Sequence, residues 1–231
     1  MDKSKTKQEQ LDDLNLNGPQ LFQSLDSLAW INKWLGNYRY LTRAILETIQ
    51  ENNIKSIILI DIGCGGGDFL RHLAKIFEAK GIKYDLIGID GNQNSLNYAR
   101  SQSLENKNIK YQQADLLDSS FELSHCDILV SSHFIYHYSK EALKDFLRKN
   151  LKVVSLSFIN SGLENNDYAV FLFRWFSFLL PISKSARKDG LIALSNSFRK
   201  ETLEEVLKEL PTYHGKIDRV PFFRLLLQIR C

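Results

Sequence analysis

Residues able to do chemistry in this chain gather at the ends of apolar runs. Asp61 closes the run from Ile57 to Ile60 and opens Asp61-Ile62-Gly63-Cys64-Gly65-Gly66-Gly67-Asp68. Glycines spaced this way let backbone come close to a bound molecule, and the helix that follows aims its N-terminus at it. Asp90-Gly91 ends a second run, Ala114-Asp115-Leu116 a third, and Ser131-Ser132-His133-Phe134-Ile135-Tyr136-His137 a fourth. Carboxylates in such places are acceptors for a ligand's hydroxyl or amino groups, while a histidine titrates near neutral pH and can take up a proton. Binding by acids and glycines, with proton transfer by His137 or His133, is the chemistry on offer.

These residues need a scaffold that sets strand ends side by side. Ile57 to Asp61 reads as a strand buried on both faces, and Phe69, Leu70, Leu73, Ile76 and Phe77 recur at helical spacing after the glycines. Further strands are expected over 84–90, 108–114, 127–131 and 153–159, with helices over 92–101 and after Ser139. A very apolar helix over 168–180, stopped by Pro181, a helix over 200–209 and two closing strands, the last from Phe222 to Ile229, complete the pattern. The alternation predicts an α/β fold with a doubly wound, seven-stranded, mostly parallel, Rossmann-like sheet. Residues 1–17 are polar and read as a mobile tail, 18–53 as an N-terminal helical cap of two helices over the cleft, and 54–231 as the α/β domain.

Composition narrows the class. The chain has 231 residues, a net charge of +3 with acids and bases interleaved, and three cysteines without metal-type spacing. That balance gives no ground for a nucleic-acid partner, and the cysteines suit reduced thiols in the cytoplasm. Met1 is followed by polar residues rather than a secretory signal. The most apolar stretch, Tyr168 to Leu180, is too short to span a bilayer and contains Arg174. A monomer or homodimer with no bound metal is the expectation.

The letters of the glycine loop separate two cofactor classes. The dinucleotide fingerprint needs a third small residue where this chain has Asp68, and counting from Gly65 instead reaches Leu70. A carboxylate at that helix start also repels a pyrophosphate. The pattern that fits is D-x-G-x-G-x-G, with Asp61, Gly63, Gly65 and Gly67. It resembles the first motif of the class I S-adenosylmethionine-dependent methyltransferases, and Asp90, Ala114-Asp115-Leu116 and the 131–137 segment resemble the next three. The resemblance implies S-adenosyl-L-methionine as cofactor. It places Gly63, Cys64, Gly65 and Gly67 against the methionine and ribose part, Asp61 on the ammonium group, and Asp90-Gly91 at the ribose hydroxyls. Asp115 and the Leu116 backbone meet the adenine, and Ser132 lies on the sulfonium side. Arg39, or Tyr38 beside it, is expected to reach the cofactor's carboxylate.

A narrower resemblance concerns the acceptor. Leu28-x-x-Ile31-Asn32-x-Trp34-Leu35-Gly36-x-Tyr38-Arg39, Asp189-Gly190 and Phe222-Phe223-Arg224-Leu225 resemble bacterial small-molecule methyltransferases associated with type III polyketide synthases. That group's Asn-Asp-Leu-x-Arg stands here as Asn160-Ser161-Gly162-Leu163-Glu164, and Asn196 replaces an arginine before Phe198, so the substrate contacts differ. Methyl transfer chiefly requires alignment, and a phenol or enol acceptor gains from a base, for which His137 and then His133 are the candidates. The helix over 168–180 is read as core packing, as the wall of an aromatic or lipid-like acceptor site, or as a surface for peripheral membrane contact. O-methylation of an aromatic or polyketide hydroxyl is the first reading. C-methylation of a quinone-type ring and non-catalytic cofactor binding are the alternatives.

Overall fold

The computed structural model describes residues 9–180 and 182–231. Among them, seven strands form one sheet in the order β3-β2-β1-β4-β5-β7-β6. The parallel strands are β1 (Ser56–Ile62), β2 (Lys83–Asp90), β3 (Ile109–Gln113), β4 (Cys126–Ser132) and β5 (Val154–Leu163). β7 (Arg224–Arg230) runs antiparallel to β5, and β6 (His214–Val220) antiparallel to β7. Two helices precede the sheet, α1 (Gly18–Trp34) and α2 (Asn37–Glu51), as the cap reading anticipates. The others are α3 (Asp68–Lys80), α4 (Gln93–Ser101), α5 (Lys140–Asn150), α6 (Asp167–Phe176), α7 (Lys184–Asn196) and α8 (Lys200–Lys208). The sheet is the doubly wound, mostly parallel one expected from the sequence.

Side-chain alternation divides the core between the two faces of the sheet. Ile57 and Leu59 of β1, with Ile128 and Val130 of β4, pack against Leu41 and Ile45 of α2 and Leu70 and Leu73 of α3. Ile60 and Ile62, with Leu129, face the other way onto Leu143 and Leu147 of α5 and Leu203 and Val206 of α8. Asp61 falls on the α2–α3 side of this alternation and is buried. The chain builds outward from β1 to β3, then returns to lay β4 against β1. Ligands of such sheets bind at the carboxyl ends of the strands flanking that reversal, where the loops diverge.

Several elements differ from the sequence reading. α7 was not anticipated: Ser183 caps it, its Oγ accepting the Ala186 N–H at 3.0 Å, but Gly190 breaks its helical pattern. A Cβ at Gly190 would lie 2.7 Å from the Phe173 ring, so the glycine is what lets α6 and α7 pack closely. Phe222 and Phe223 are not strand but the turn between β6 and β7, both with left-handed φ, 64° and 52°. Pro181 and residues 1–8 of the expected tail lie outside the described residues. From Glu9 on, that segment is a strap across the strand ends rather than a free tail. The Asn92 side chain donates to the carbonyls of Asp13 (3.3 Å) and Leu16 (3.1 Å), and Asp189 Oδ1 accepts the Gln10 N–H at 3.0 Å.

Candidate functional site

A cavity of about 660 Å³ opens at the carboxyl ends of β1, β2, β4 and β5. Pockets of this size hold a nucleoside-sized ligand together with a small partner. On one side it is lined by the glycine loop. Gly63, Gly65 and Gly67 all have left-handed φ (71°, 50° and 69°), the conformation that turns β1 into α3. Side chains have no room at Gly63 and Gly67: a Cβ on Gly63 would fall 2.6 Å from the Phe134 ring, and one on Gly67 would run into the Tyr111 hydroxyl. Asp68, in the first turn of α3, has its carboxyl pushed up to about 6, mainly by desolvation.

Asp61 lines the cavity although its surface is almost wholly withdrawn from solvent, and its Oδ1 has no hydrogen-bond partner. Burial, and then the Asp90 carboxylate facing it, push its carboxyl well above the usual range. Asp90 also titrates high through desolvation, opposed by backbone N–H groups; Gly65 N–H donates to its Oδ2 at 2.9 Å and Asn92 N–H to its Oδ1 at 2.9 Å. Cys64 is buried beside both acids, which with desolvation keep its thiol protonated and unsuited to nucleophilic work. Gly91 and Asp115 line the same region, Asp115 accepting the Leu117 N–H at 2.9 Å, with Leu116 buried behind it. Leu14 of the strap lies over Gly91, 2.9 Å from where a Cβ would be. Ser132 accepts from the Asn37 side chain at 2.6 Å and also lines the cavity.

This donor set fits S-adenosylmethionine. An orphaned carboxyl oxygen in a desolvated pocket calls for a cationic group such as an ammonium, and a strand-end acid with its backbone already anchored suits a ribose diol. Among the described residues, no lysine or arginine lines the glycine-loop side to favour a pyrophosphate, and Asp61, Asp68 and Asp90 oppose one.

Arg39 is exposed on α2 and does not line the cavity, contrary to the expectation of a carboxylate contact. The cause is helical geometry: Asn37, Tyr38, Leu41 and Ile45 form the inward face, and Arg39 projects away from it. Its neighbour Tyr38 faces the cavity.

The other side of the cavity gathers residues from distant parts of the chain. His137 lies in a short 3-10 turn after β4, with its Nδ1 3.5 Å from Asp12 Oδ1 of the strap. Asp12 Oδ2 accepts the Glu9 N–H at 2.9 Å, which holds the carboxylate toward the ring. Glu9 itself is pushed up to about 8 by desolvation, and it bonds the Tyr136 hydroxyl. His133 has left-handed φ, 54°, and a ring nitrogen against the Arg224 guanidinium. An arginine only donates, so that nitrogen accepts and His133 is neutral. Burial, and then Arg224, hold its pKa well below the usual value, which makes it a poor proton acceptor.

α6 and α7 wall this side through Ala169, Leu172, Phe173, Ala193 and Leu194. The apolar helix is not buried all round. Tyr168, Phe171, Trp175, Phe178 and Leu179 are between 59% and 79% exposed, so α6 offers one face to the cavity and another to solvent. Asp12, Glu9, Asp189 and Arg224 are charged cavity residues that sequence reasoning did not assign. Only Asp189 and Arg224 lay within quoted motifs, and nothing in the tail marked Glu9 or Asp12 as paired.

The fold is that of the class I methyltransferases, and comparisons agree. Residues 59–155 match the family of the methyltransferase domain. No curated protein matches the chain. Among solved structures it is similar to magnesium protoporphyrin IX methyltransferase from Synechocystis with S-adenosylhomocysteine bound: 13% identity, 91% of this chain and 96% of that one, TM-score 0.60. The plantazolicin methyltransferase in complex with S-adenosylhomocysteine is similar at 14% identity, over 91% and 93%, with TM-score 0.68. An S-adenosylmethionine-dependent methyltransferase from Aquifex aeolicus is similar at 14% identity, over 80% and 88%, with TM-score 0.55. Residues 59–155 thus carry a methyltransferase domain, and the two neighbours with S-adenosylhomocysteine bound share the fold of the chain. Among the described residues, no helix is long and apolar enough to cross a membrane.

Proposed function

We propose that this methyltransferase acts on the hydroxyl of a small, largely apolar, aromatic or polyketide-like acceptor, with His137 as general base. The observation that carries the reading is the His137–Asp12 pair at the acceptor side of a cavity walled by apolar side chains of α6 and α7. When bound, the cofactor supplies an electrophilic methyl group. Asp61 and Asp90 would bind and orient it through its ammonium and ribose groups, and the glycine loop would take its body. Asp12 would hold the His137 ring so that its other nitrogen takes the acceptor's hydroxyl proton, and the acceptor oxygen would then be a better nucleophile. The apolar walls and the strap would exclude water, which strengthens every charge interaction inside. The buried thiols of Cys64 and Cys126 are consistent with a reducing, cytoplasmic location. The solvent-exposed side of α6 supports lipid-like acceptors drawn from an apolar phase by peripheral contact.

The test is turnover on a panel of phenols with labelled S-adenosylmethionine. His137→Ala is expected to lower kcat by about 100-fold or more, the usual contribution of a positioned base, while the affinity for S-adenosylhomocysteine changes less than twofold. Undiminished turnover by His137→Ala removes the assigned base, and methyl transfer to ring carbon alone removes the O-methylation reading.

A further inference from the structure

The acceptor side of the cavity holds a positive charge that no described carboxylate answers. Arg224, the first residue of β7, is 1% exposed and is the largest fully buried side chain, yet it lines the cavity. Its guanidinium touches His133, and its Nε has no hydrogen-bond partner. Among the described residues no carboxylate forms an ion pair with it. Glu164, just past the end of β5, is committed to Arg219, which grips it at 2.7 and 2.9 Å. Directly across from Arg224 on β5 stands Leu163, and the Ser161 hydroxyl nearby on that strand is itself buried and unpartnered. A desolvated, unpaired guanidinium destabilises a fold unless something brings the counter-charge.

The backbone that presents Arg224 is also strained. Phe222 and Phe223 are consecutive non-glycine residues with left-handed φ, fixed by a 2.8 Å bond from Glu164 N–H to the Phe223 carbonyl. Both line the cavity next to Arg224. Strain of this kind persists where the surrounding structure enforces it, and it clusters at ligand sites.

We propose that Arg224 anchors a carboxylate carried by the acceptor, with Phe222 and Phe223 packing on the acceptor's apolar body. The planar fork of a guanidinium matches a carboxylate, and burial makes the pairing selective over a neutral group. A carboxylate could also come from the cofactor's own amino-acid end. The sheet order argues for the acceptor: β7 is three strands from β1, roughly 14 Å at ordinary spacing, whereas Arg224 meets the loop after β4. The inference deepens the methyl-transfer reading of the same cavity and rests on it, but its test is a binding measurement and not turnover.

Calorimetry on the full chain, with and without saturating S-adenosylhomocysteine, would compare hydroxybenzoates and hydroxycinnamates with their carboxamides. At least one acid is expected to bind tenfold or more tightly than its amide. Arg224→Met should abolish that preference, Arg224→Lys should keep part of it, and both should bind S-adenosylhomocysteine within twofold of the parent. Because Arg224→Met removes an unpaired buried charge, its melting temperature should hold or rise. Equal affinity for every acid and amide overturns the proposal. So does a tenfold loss of S-adenosylhomocysteine affinity in Arg224→Met with the acid preference intact, which would assign the arginine to the cofactor. A large fall in melting temperature in both variants would assign it a structural role and also overturn the proposal. Failure to bind S-adenosylhomocysteine would instead count against the methyl-transfer reading.

Discussion

On the β1–β3 side of the cavity, Asp61, the glycines, Asp90 and Asp115 each sit at a strand's end or just past it, in turns whose shape is local. On the β4–β7 side, Asp12, His137, Asp189 and Arg224 come from a strap, a 3-10 turn, a helix and an antiparallel strand. The first half is made by backbone conformation, the second by packing between segments far apart in sequence. The difference teaches where each half is vulnerable: the β1–β3 side to backbone changes, the β4–β7 side to loss of long-range contacts.

The largest expected effect breaks the local half. Gly63→Ala forces a left-handed φ on alanine and drives a Cβ into Phe134, against its ring at 2.6 Å and its own Cβ at 2.8 Å. A destabilisation of about 2–5 kcal/mol is expected from the backbone and overpacking costs together, read by urea denaturation. Asp61→Asn separates binding from folding. It removes a desolvated carboxyl that has no partner for Oδ1, so the melting temperature should hold or rise. Affinity for S-adenosylhomocysteine, whose ammonium would lose a charged acceptor, should fall about 10- to 100-fold.

The strap gives the complementary test. Glu9 titrates at about 8 when docked, against an ordinary 4.5, so the docked state binds more protons between those values. Docking is therefore favoured fully below about pH 4.5 and weakens as pH rises toward 8. Protection of residues 10–16 against hydrogen exchange, referred to the intrinsic rate at each pH, should fall several-fold across that window, and Glu9→Gln should flatten the dependence. The smallest effect is the control: Arg39→Ala should leave S-adenosylhomocysteine affinity within about twofold, because the side chain is exposed and away from the cavity.

How far the sequence could be read follows the same division. β1, β2 and the helices after them were legible because apolar alternation and glycine spacing act within a few residues. The missed helix, α7, has a glycine in its interior whose purpose is contact with Phe173, a partner on another helix. Arg39 was read as facing the ligand because a motif gives a position along a helix, whereas the direction of its side chain depends on which face the helix buries. The segment from Glu9 to Asp13 looked like a tail because its composition is polar. Its order comes from Asn92 and Asp189, bonds that no local pattern announces.

By itself, the sequence determined the doubly wound sheet, the glycine turn after β1 and the acids at the strand ends, because each follows from backbone sterics and side-chain alternation over short spans. Only the tertiary structure decided that His137 meets Asp12, that His133 is held neutral by Arg224, and that α6 is half in solvent. Those outcomes depend on strand register and on which segment covers the cleft. Both are settled by long-range packing, where any one contact is weak and the sum selects the arrangement.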